Sequence, residues 1–247
     1  MLSATALEGL PEIAAGDDLA ALIAPASGGL REGDVVVVAH KVVSKSEGRV
    51  RSLAGVVPGA RALGLAAEHG KDARAVQVVL DESREVIRAA HGVLICVTRH
   101  GFVCANAGVD ASNAAEPDTV IMLPEDPDRS ARALRERLTA LTGISPAVLI
   151  TDSFGRAWRH GQCDVAIGCA GLEPLEDWRG RIDASGRELR ATWIAIADEL
   201  AGAADLARSK DGRQPAVLVR GAGAHVSADH GPGAAALIRP RKKDLFR

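Results

Sequence analysis

Short, nearly uninterrupted runs of Val, Ile, Leu and Ala punctuate this chain at residues 34–39, 92–98, 119–123, 146–151, 164–168 and 215–220. Continuous apolar runs of this length predict strands covered on both faces. Between them lie stretches with helical signals. One starts at Asp17-Asp18, whose carboxylates suit a helix N-terminus. A second covers about residues 72–82. A third takes Asp126 as cap and Pro127 as first helical residue and runs to Gly143. The longest is predicted over 188–208, where Ile194, Ala197, Leu200, Ala201 and Ala204 form one apolar stripe. Helices and strands alternate, yet strands also cluster between residues 92 and 123. The pattern predicts a mixed α/β (α+β) architecture without a clean doubly wound order. The stretch 168–186, rich in Gly, Asp and Arg, reads as a long functional loop rather than a domain boundary.

Composition narrows the class. A chain of 247 residues suffices for one large domain or two intimately packed ones. With 47% hydrophobic and 25% charged residues it is an ordinary globular sequence. A formal net charge of -2 argues against a nucleic-acid partner, and the absence of Tyr leaves few stacking platforms. Cys96, Cys104, Cys163 and Cys169 contain no C-x-x-C pair, so neither a zinc site nor a redox pair is expected. No apolar run approaches membrane-spanning length and the start lacks signal-peptide features, so no membrane partner and a reducing, cytoplasmic location are expected.

Candidate chemistry concentrates behind the apolar runs. The 92–98 run leads to Asn106-Ala-Gly-Val-Asp110-Ala-Ser-Asn113, and the 146–151 run leads to Thr151-Asp152-Ser153-Phe-Gly-Arg156. Asp with hydroxyl residues at a strand exit supplies hard oxygen ligands at the end of a sheet, where cations and phosphates are held. The competing reading is that Asp, Asn and Gly only make turns. His40-Lys41 and Ser44-Lys45 form a basic step after the first Val run, suited to a polyphosphate or to a solvated loop. Arg156, Arg159, His160 and Gln162 offer donors for one anion. Asp177, Arg179, Arg181, Asp183 and Arg187 read as a binding loop or as a surface salt-bridge network. The polar turn 208–214 is expected at a helix end whatever its function. No P-loop and no Rossmann fingerprint is present. Residues 64–72 place Asp72 where a P-loop needs Ser or Thr, and Gly221-Ala-Gly223 lacks a third glycine.

Taken together, ordered blocks of this sequence resemble the coenzyme F420-0:L-glutamate ligase family. They are Gly9-Leu-Pro11, Gly33-Asp-Val-Val-Val-Val-Ala39, Ser44-Lys45-Ser-Glu-Gly-Arg49 and Asn106 to Asn113. They continue through Ile150-Thr-Asp-Ser-Phe-Gly-Arg156, Ala166-Ile-Gly168, Asp198-Glu-Leu-Ala201 and Ala216-Val-Leu-Val-Arg-Gly221. The resemblance implies the γ-glutamyl ligase fold, an intertwined homodimer and GTP-dependent, successive, γ-linked addition of L-glutamate to coenzyme F420-0. It also implies two divalent cations, Mg²⁺ or Mn²⁺, with K⁺ as a further candidate. By matching position, Asp110 and Asp152 are expected to be catalytic metal ligands, with Ser153 adding a hydroxyl oxygen. Leu10, Pro11, Glu12, Ile13, His40, Lys41, Lys45 and Asn113 are expected at the nucleotide. So are Arg208, Ser209, Lys210, Asp211, Gly212, Arg213 and Gln214. Lys210 stands where archaeal relatives carry a metal-binding acid, so the second cation is held differently, Asp211 being one candidate, or the lysine replaces part of its charge.

The resemblance further divides the chain into a ligase domain, 1–238, and a basic tail or junction, 239–247. That tail is similar to the point at which bacterial relatives continue into a nitroreductase-like flavin domain, which makes such a domain a candidate partner. The alternatives are a metal-dependent GTP phosphohydrolase and a non-catalytic nucleotide-binding regulator.

Overall fold

The computed structural model describes residues 1–114, 116–209 and 211–245. Strand β1 (Ser3–Ala6), helix α1 (Leu19–Ala26), strand β2 (Val35–Ala39), helix α2 (His40–Ser46) and strand β3 (Val50–Ser52) come first. Helices α3 (Ala60–His69) and α4 (Ala73–Asp81) lead to strands β4 (Ser83–Ala90), β5 (Val93–Thr98), β6 (Val103–Ala105) and β7 (Thr119–Ile121). Then follow α5 (Pro127–Thr142), β8 (Ala147–Arg156) and β9 (Arg159–Ala170). The short β10 (Glu176–Asp177) and β11 (Trp193–Ile194), α6 (Ile196–Ala207) and β12 (Ala216–Arg220) close the order.

The central sheet runs β1-β12-β2-β8-β9, with β2 and β8 parallel and the other neighbours antiparallel. Its two faces are both covered, which is why its inner strands carry no polar alternation. Val36, Val38, Val148 and Ile150 share one core with Leu19 and Ile23 of α1 and Leu134 and Leu138 of α5. Val35, Val37, Leu149 and Val217 share the opposite core with Ala197, Leu200 and Ala204 of α6. Each such Leu, Ile or Val contributes roughly 1.5–3 kcal/mol when fully buried. A smaller layer sits beside this: the sheet β4-β5-β6 packs against α3 and α4 through Ala62, Val76, Val79, Leu94 and Cys96. The mixed α/β class is as the pattern predicts.

The N-terminal carboxylates predicted at Asp18 and Asp126 each accept a backbone N–H from the first turn of α1 and α5, and Asp72 caps α4 in the same way. Two elements differ. The helix predicted over 188–208 begins only at Ile196, because Glu188 bridges Ile182 and Trp193–Ile194 pairs with Glu176–Asp177. Of the predicted 168–186 loop, residues 168–170 end β9 and residues 176–182 form one side of a hairpin. The basic step after the first Val run is not a loop but helix α2, which continues directly from β2.

Two sets of hydrogen bonds hold the C-terminal segment to the core. Asp128 of α5 accepts the N–H groups of Cys169 (2.9 Å) and Ala234 (2.7 Å), while Gly168 lets β9 approach the Pro127 carbonyl at a distance no Cβ would tolerate. Arg135, 4% exposed, donates to the carbonyls of Pro146, Ser227, Ala228 and Asp229. The basic tail touches the smaller sheet where Arg241 Nη1 lies 3.6 Å from Glu85 Oε2; Phe246 and Arg247 are outside the described residues. Among the described residues no helix is long and apolar enough to cross a membrane.

Candidate active site

The site grows out of one register. Parallel pairing of β2 with β8 aligns Ala39 with Thr151, so the residues that follow, His40 and Asp152, emerge side by side. His40 Nε2 lies 3.2 Å from Asp152 Oδ1, an ion-pair approach without hydrogen-bond alignment. The other ring nitrogen, Nδ1, is 3.4 Å from Ser44 Oγ one helical turn on. Asp152 and Ser153 were expected in a loop behind the strand. Instead they lie within β8, which runs on to Arg156 and turns into β9.

Asp110 follows β6 and lies beside β7 of a separate two-stranded sheet, β3-β7. It follows a short 3-10 turn at Asn106–Gly108, with left-handed Asn106 and Ala107, and bridges Ile121. It is not at the end of the central sheet, which corrects the picture of two loops on one sheet edge. Lys41 Nζ spans the gap, donating at 2.6 Å to Asp110 Oδ2 and at 2.6 Å to Ser112 Oγ. The Ser112 N–H donates to Asp110 Oδ1 at 2.8 Å, and its hydroxyl to Oδ2 at 2.8 Å. Burial pushes the Asp110 carboxyl up, but the Lys41 ammonium and both Ser112 donors outweigh it and hold the group below the usual carboxylate range. Adjacent residues of α2 thus hold the two aspartates contributed by different sheets.

The next turn of α2 faces a cleft of about 280 Å³ lined by Ile13, Lys45, Gly48, Val50, Ala114 and Glu116 among others. Lys45 is buried and ion-paired with Glu12. Leu10, Pro11, Glu12 and Ile13 lie in an irregular segment before α1, with Ile13 in the core and at the cleft, and Asn113 is exposed beside Ala114. Of the first group of expected nucleotide contacts, Glu12, Ile13 and Lys45 meet at this cleft, while His40 and Lys41 stand on Asp152 and Asp110. A second cavity, of about 260 Å³, lies away from these groups between α3, α4 and β4, lined by Arg61, Gln77, Ser83 and Arg84 among others.

Alternation along β8 sends Asp152 to the face of α1 and α5, and Thr151 and Ser153 to the face of α6. There they meet Asp164, a residue that reading the sequence treated only as the start of a strand. A bulge between the Ile150 and Thr151 pairings sets Asp164 opposite Ser153. Thr151 Oγ1 donates to Asp164 Oδ2 at 2.8 Å, and Ser153 Oγ donates to Asp164 Oδ1 at 2.6 Å. Arg208, the first residue of the 208–214 turn, is ion-paired with Asp164 and donates to Thr151 Oγ1 at 3.1 Å. In that turn Asp211, Gly212 and Arg213 are exposed and Ser209 precedes them at the surface. Gln214 is partly buried; Lys210 lies outside the described residues.

Some expected donors are not brought in. Arg156 Nη2 turns back to the His160 carbonyl at 2.7 Å, and Arg156, Arg159, His160 and Gln162 are exposed on the β8–β9 hairpin. The charged stretch after it is a surface network: Arg179 pairs with Asp177 and lies over Trp193, and Arg181 pairs with Glu176 and lies over Trp178. No group of three or more His, Cys, Asp or Glu among the described residues is placed to hold a metal ion by itself. The donors present at Asp110, Asp152 and Ser153 are all oxygens, the set that Mg²⁺ and Mn²⁺ prefer.

Residues 9–221 match the family described as F420-0:Gamma-glutamyl ligase. The chain is 44% identical over 252 residues to the coenzyme F420:L-glutamate ligase of Methanothermobacter thermautotrophicus, covering 100% of this chain and 99% of that protein. It is 49% identical over 234 residues to that of Methanopyrus kandleri (94% and 92% covered) and 46% identical over 216 residues to that of Archaeoglobus fulgidus (87% and 86%). The chain belongs to the F420-0:gamma-glutamyl ligase family and is an enzyme of the ligase class.

Proposed function

We propose that this protein is a GTP-dependent coenzyme F420-0:L-glutamate ligase that adds L-glutamate, with further γ-linked additions, and releases GDP and phosphate. The observation that carries the reading is the seam at the start of α2. His40 holds Asp152, Lys41 holds Asp110, and Lys45 faces the cleft that Ile13 lines.

The chemistry is acyl activation. The terminal carboxylate oxygen of the acceptor attacks the γ-phosphorus, the bond to the β-phosphate oxygen breaks and GDP leaves. The amine of glutamate then attacks the acyl carbon, loses a proton and expels phosphate, forming the amide. No protein nucleophile is needed, because the acceptor carboxylate attacks. Catalysis is positioning and charge compensation. Lys41 and Lys45 orient the phosphates, the 10–13 segment and Asn113 border the nucleotide, and the 208–214 turn closes on it.

Asp110, Asp152 and Ser153 would hold two divalent cations, Mg²⁺ or Mn²⁺. When bound, these neutralise charge between an anionic acceptor and the triphosphate. Asp152 and Ser153 point to opposite faces of β8, so they would not share one cation. The remaining ligands would be phosphate oxygens, water or groups of a second copy of the chain, as in a homodimer; K⁺ is a further candidate cation.

The test is to incubate the protein with GTP, Mg²⁺ or Mn²⁺, L-glutamate and coenzyme F420-0 and to follow GDP and product mass. A glutamylated product with GDP is expected, and Asp152→Asn should abolish both with the fold intact. GDP formed equally fast without acceptor or glutamate would show a phosphohydrolase. GTP binding without turnover would show a nucleotide-binding regulator.

A further inference from the structure

We propose that Arg61 and Arg84 form an oxyanion site, apart from the seam at α2, that takes the phosphate group of a small ligand. The site is the cavity of about 260 Å³ between α3, α4 and β4. It goes beyond the ligase activity proposed above and does not depend on it.

Arg61 of α3 and Gln77 of α4 line one side of this cavity, and four successive residues of β4, Ser83 to Val86, line the other. A regular strand turns alternate side chains away. Here β4 advances two residues, from Ser83 to Glu85, while β5 advances one, from Thr98 to Val97. Arg84 is the extra residue of that bulge, and a bulge re-aims the side chain it carries. Arg61 is turned toward the same sheet. Burial pushes the Cys96 thiol of β5 up, and the Arg61 guanidinium is near enough to pull against that rise.

The acids around the cavity already have partners. Asp81 accepts from Arg51 Nη1 at 3.0 Å and from Gln77 Nε2 at 2.7 Å, and Glu85 lies 3.6 Å from Arg241 of the basic tail. Gln77 is held at its other end as well, where Oε1 accepts the Gly59 N–H at 2.9 Å. Among the described residues Arg61 and Arg84 have neither an ion pair nor a hydrogen bond. Two such guanidinium groups at one cavity select an oxyanion, which each can grip with two parallel N–H donors. A phosphate group carries close to two negative charges near neutral pH and matches both, whereas a carboxylate carries one. The volume lies just below the roughly 300–1,000 Å³ of sites for drug-sized ligands, so it suits a small molecule.

The test is calorimetric titration of the full chain with inorganic phosphate at low ionic strength, with phenyl phosphate and succinate as comparison probes. The variants are Arg61→Gln, Arg84→Gln and Arg88→Gln; the last removes the same charge from β4 at an exposed position outside the cavity lining. Arg61→Gln and Arg84→Gln should each weaken phosphate binding by about tenfold or more, and Arg88→Gln should bind as the parent does. Phenyl phosphate binding more tightly than phosphate assigns the site to a phosphate ester, and equal binding assigns it to free phosphate. Succinate binding more tightly than both overturns the phosphate assignment. A parent that binds no phosphate, or unchanged affinity in either cavity variant, overturns the site, since phosphate held at Lys41 and Lys45 instead is indifferent to both changes. An equal loss in Arg88→Gln overturns it too, as general surface charge. Failure of the ligase assay leaves each of these outcomes standing, because the titration contains no nucleotide.

Discussion

His40 Nε2 stands 3.2 Å from Asp152 Oδ1 because Ala39 and Thr151, the residues before them, are paired in register across two parallel strands. The side chain of His40 is 3% exposed, so it has little water to fall back on. Replacing it by Asn shortens the contact away while keeping a polar group at the head of α2. An aligned hydrogen bond to a charged group is worth about 1.5–3 kcal/mol, and this unaligned contact is worth less. Turnover of His40→Asn is therefore expected to fall by up to about tenfold. Circular dichroism should remain that of the parent. Parent-like turnover would remove His40 from the site.

Lys41 joins the two sheets at Asp110, and its test concerns nucleotide binding. Lys41→Met removes the ammonium that bonds Asp110 and Ser112 at 2.6 Å each. The KM for GTP should rise about tenfold or more. Lys41→Arg should restore little, since a planar fork does not replace a compact ammonium reaching two acceptors. An unchanged KM would show that Lys41 serves only Asp110.

Thiol chemistry reports on the interior. Burial pushes the Cys104 and Cys169 thiols up to about 12 and raises Cys96 as well, whereas Cys163 lies partly exposed on the long hairpin. A disulfide reagent at pH 8 should label Cys163 in the native protein and all four cysteines after denaturation. These thiols keep their protons longer when folded, so their contribution is intact below the ordinary value of 9.0 and is lost as pH rises from there toward about 12. Rapid labelling of more than one thiol in the native state would contradict this burial.

Arg135 carries the largest structural prediction. It donates to four backbone carbonyls, three of them in residues 227–229. Arg135→Leu leaves those acceptors without it, at about 1–3 kcal/mol for each one left buried and unsatisfied. A loss of more than about 3 kcal/mol in urea unfolding is expected, with early proteolysis within 223–238. A change under about 1 kcal/mol would show that water satisfies these carbonyls instead.

Several features were legible for a clear physical reason. The 34–39 and 146–151 runs read as doubly covered strands because both of their faces are buried, and Asp126 reads as a cap because capping is local. What escaped the sequence depends on distant partners. Helix α2 has no side-chain cap and takes its start from the strand before it. Strand β4 is mixed in polarity and bulged against β5, so no alternation marks it. The late start of α6 is set by the pairing of Trp193 with Asp177. Asp164 drew no notice because its neighbours Thr151, Ser153 and Arg208 meet it only through the β8–β9 bulge. Asp110 and Asp152 stood out as candidate oxygen ligands from their place behind apolar runs, whereas the nucleotide segments were expected only from the ordered resemblance, which no periodicity contains.

The central claim is that the acceptor carboxylate, not water, attacks GTP. Coenzyme F420-0 labelled with ¹⁸O in its terminal carboxylate, turned over with GTP, Mn²⁺ and L-glutamate, tests it directly. The expected result is phosphate carrying one ¹⁸O from that carboxylate, in step with amide formation. Phosphate without the label, or labelled only when the solvent is H₂¹⁸O, would contradict the account.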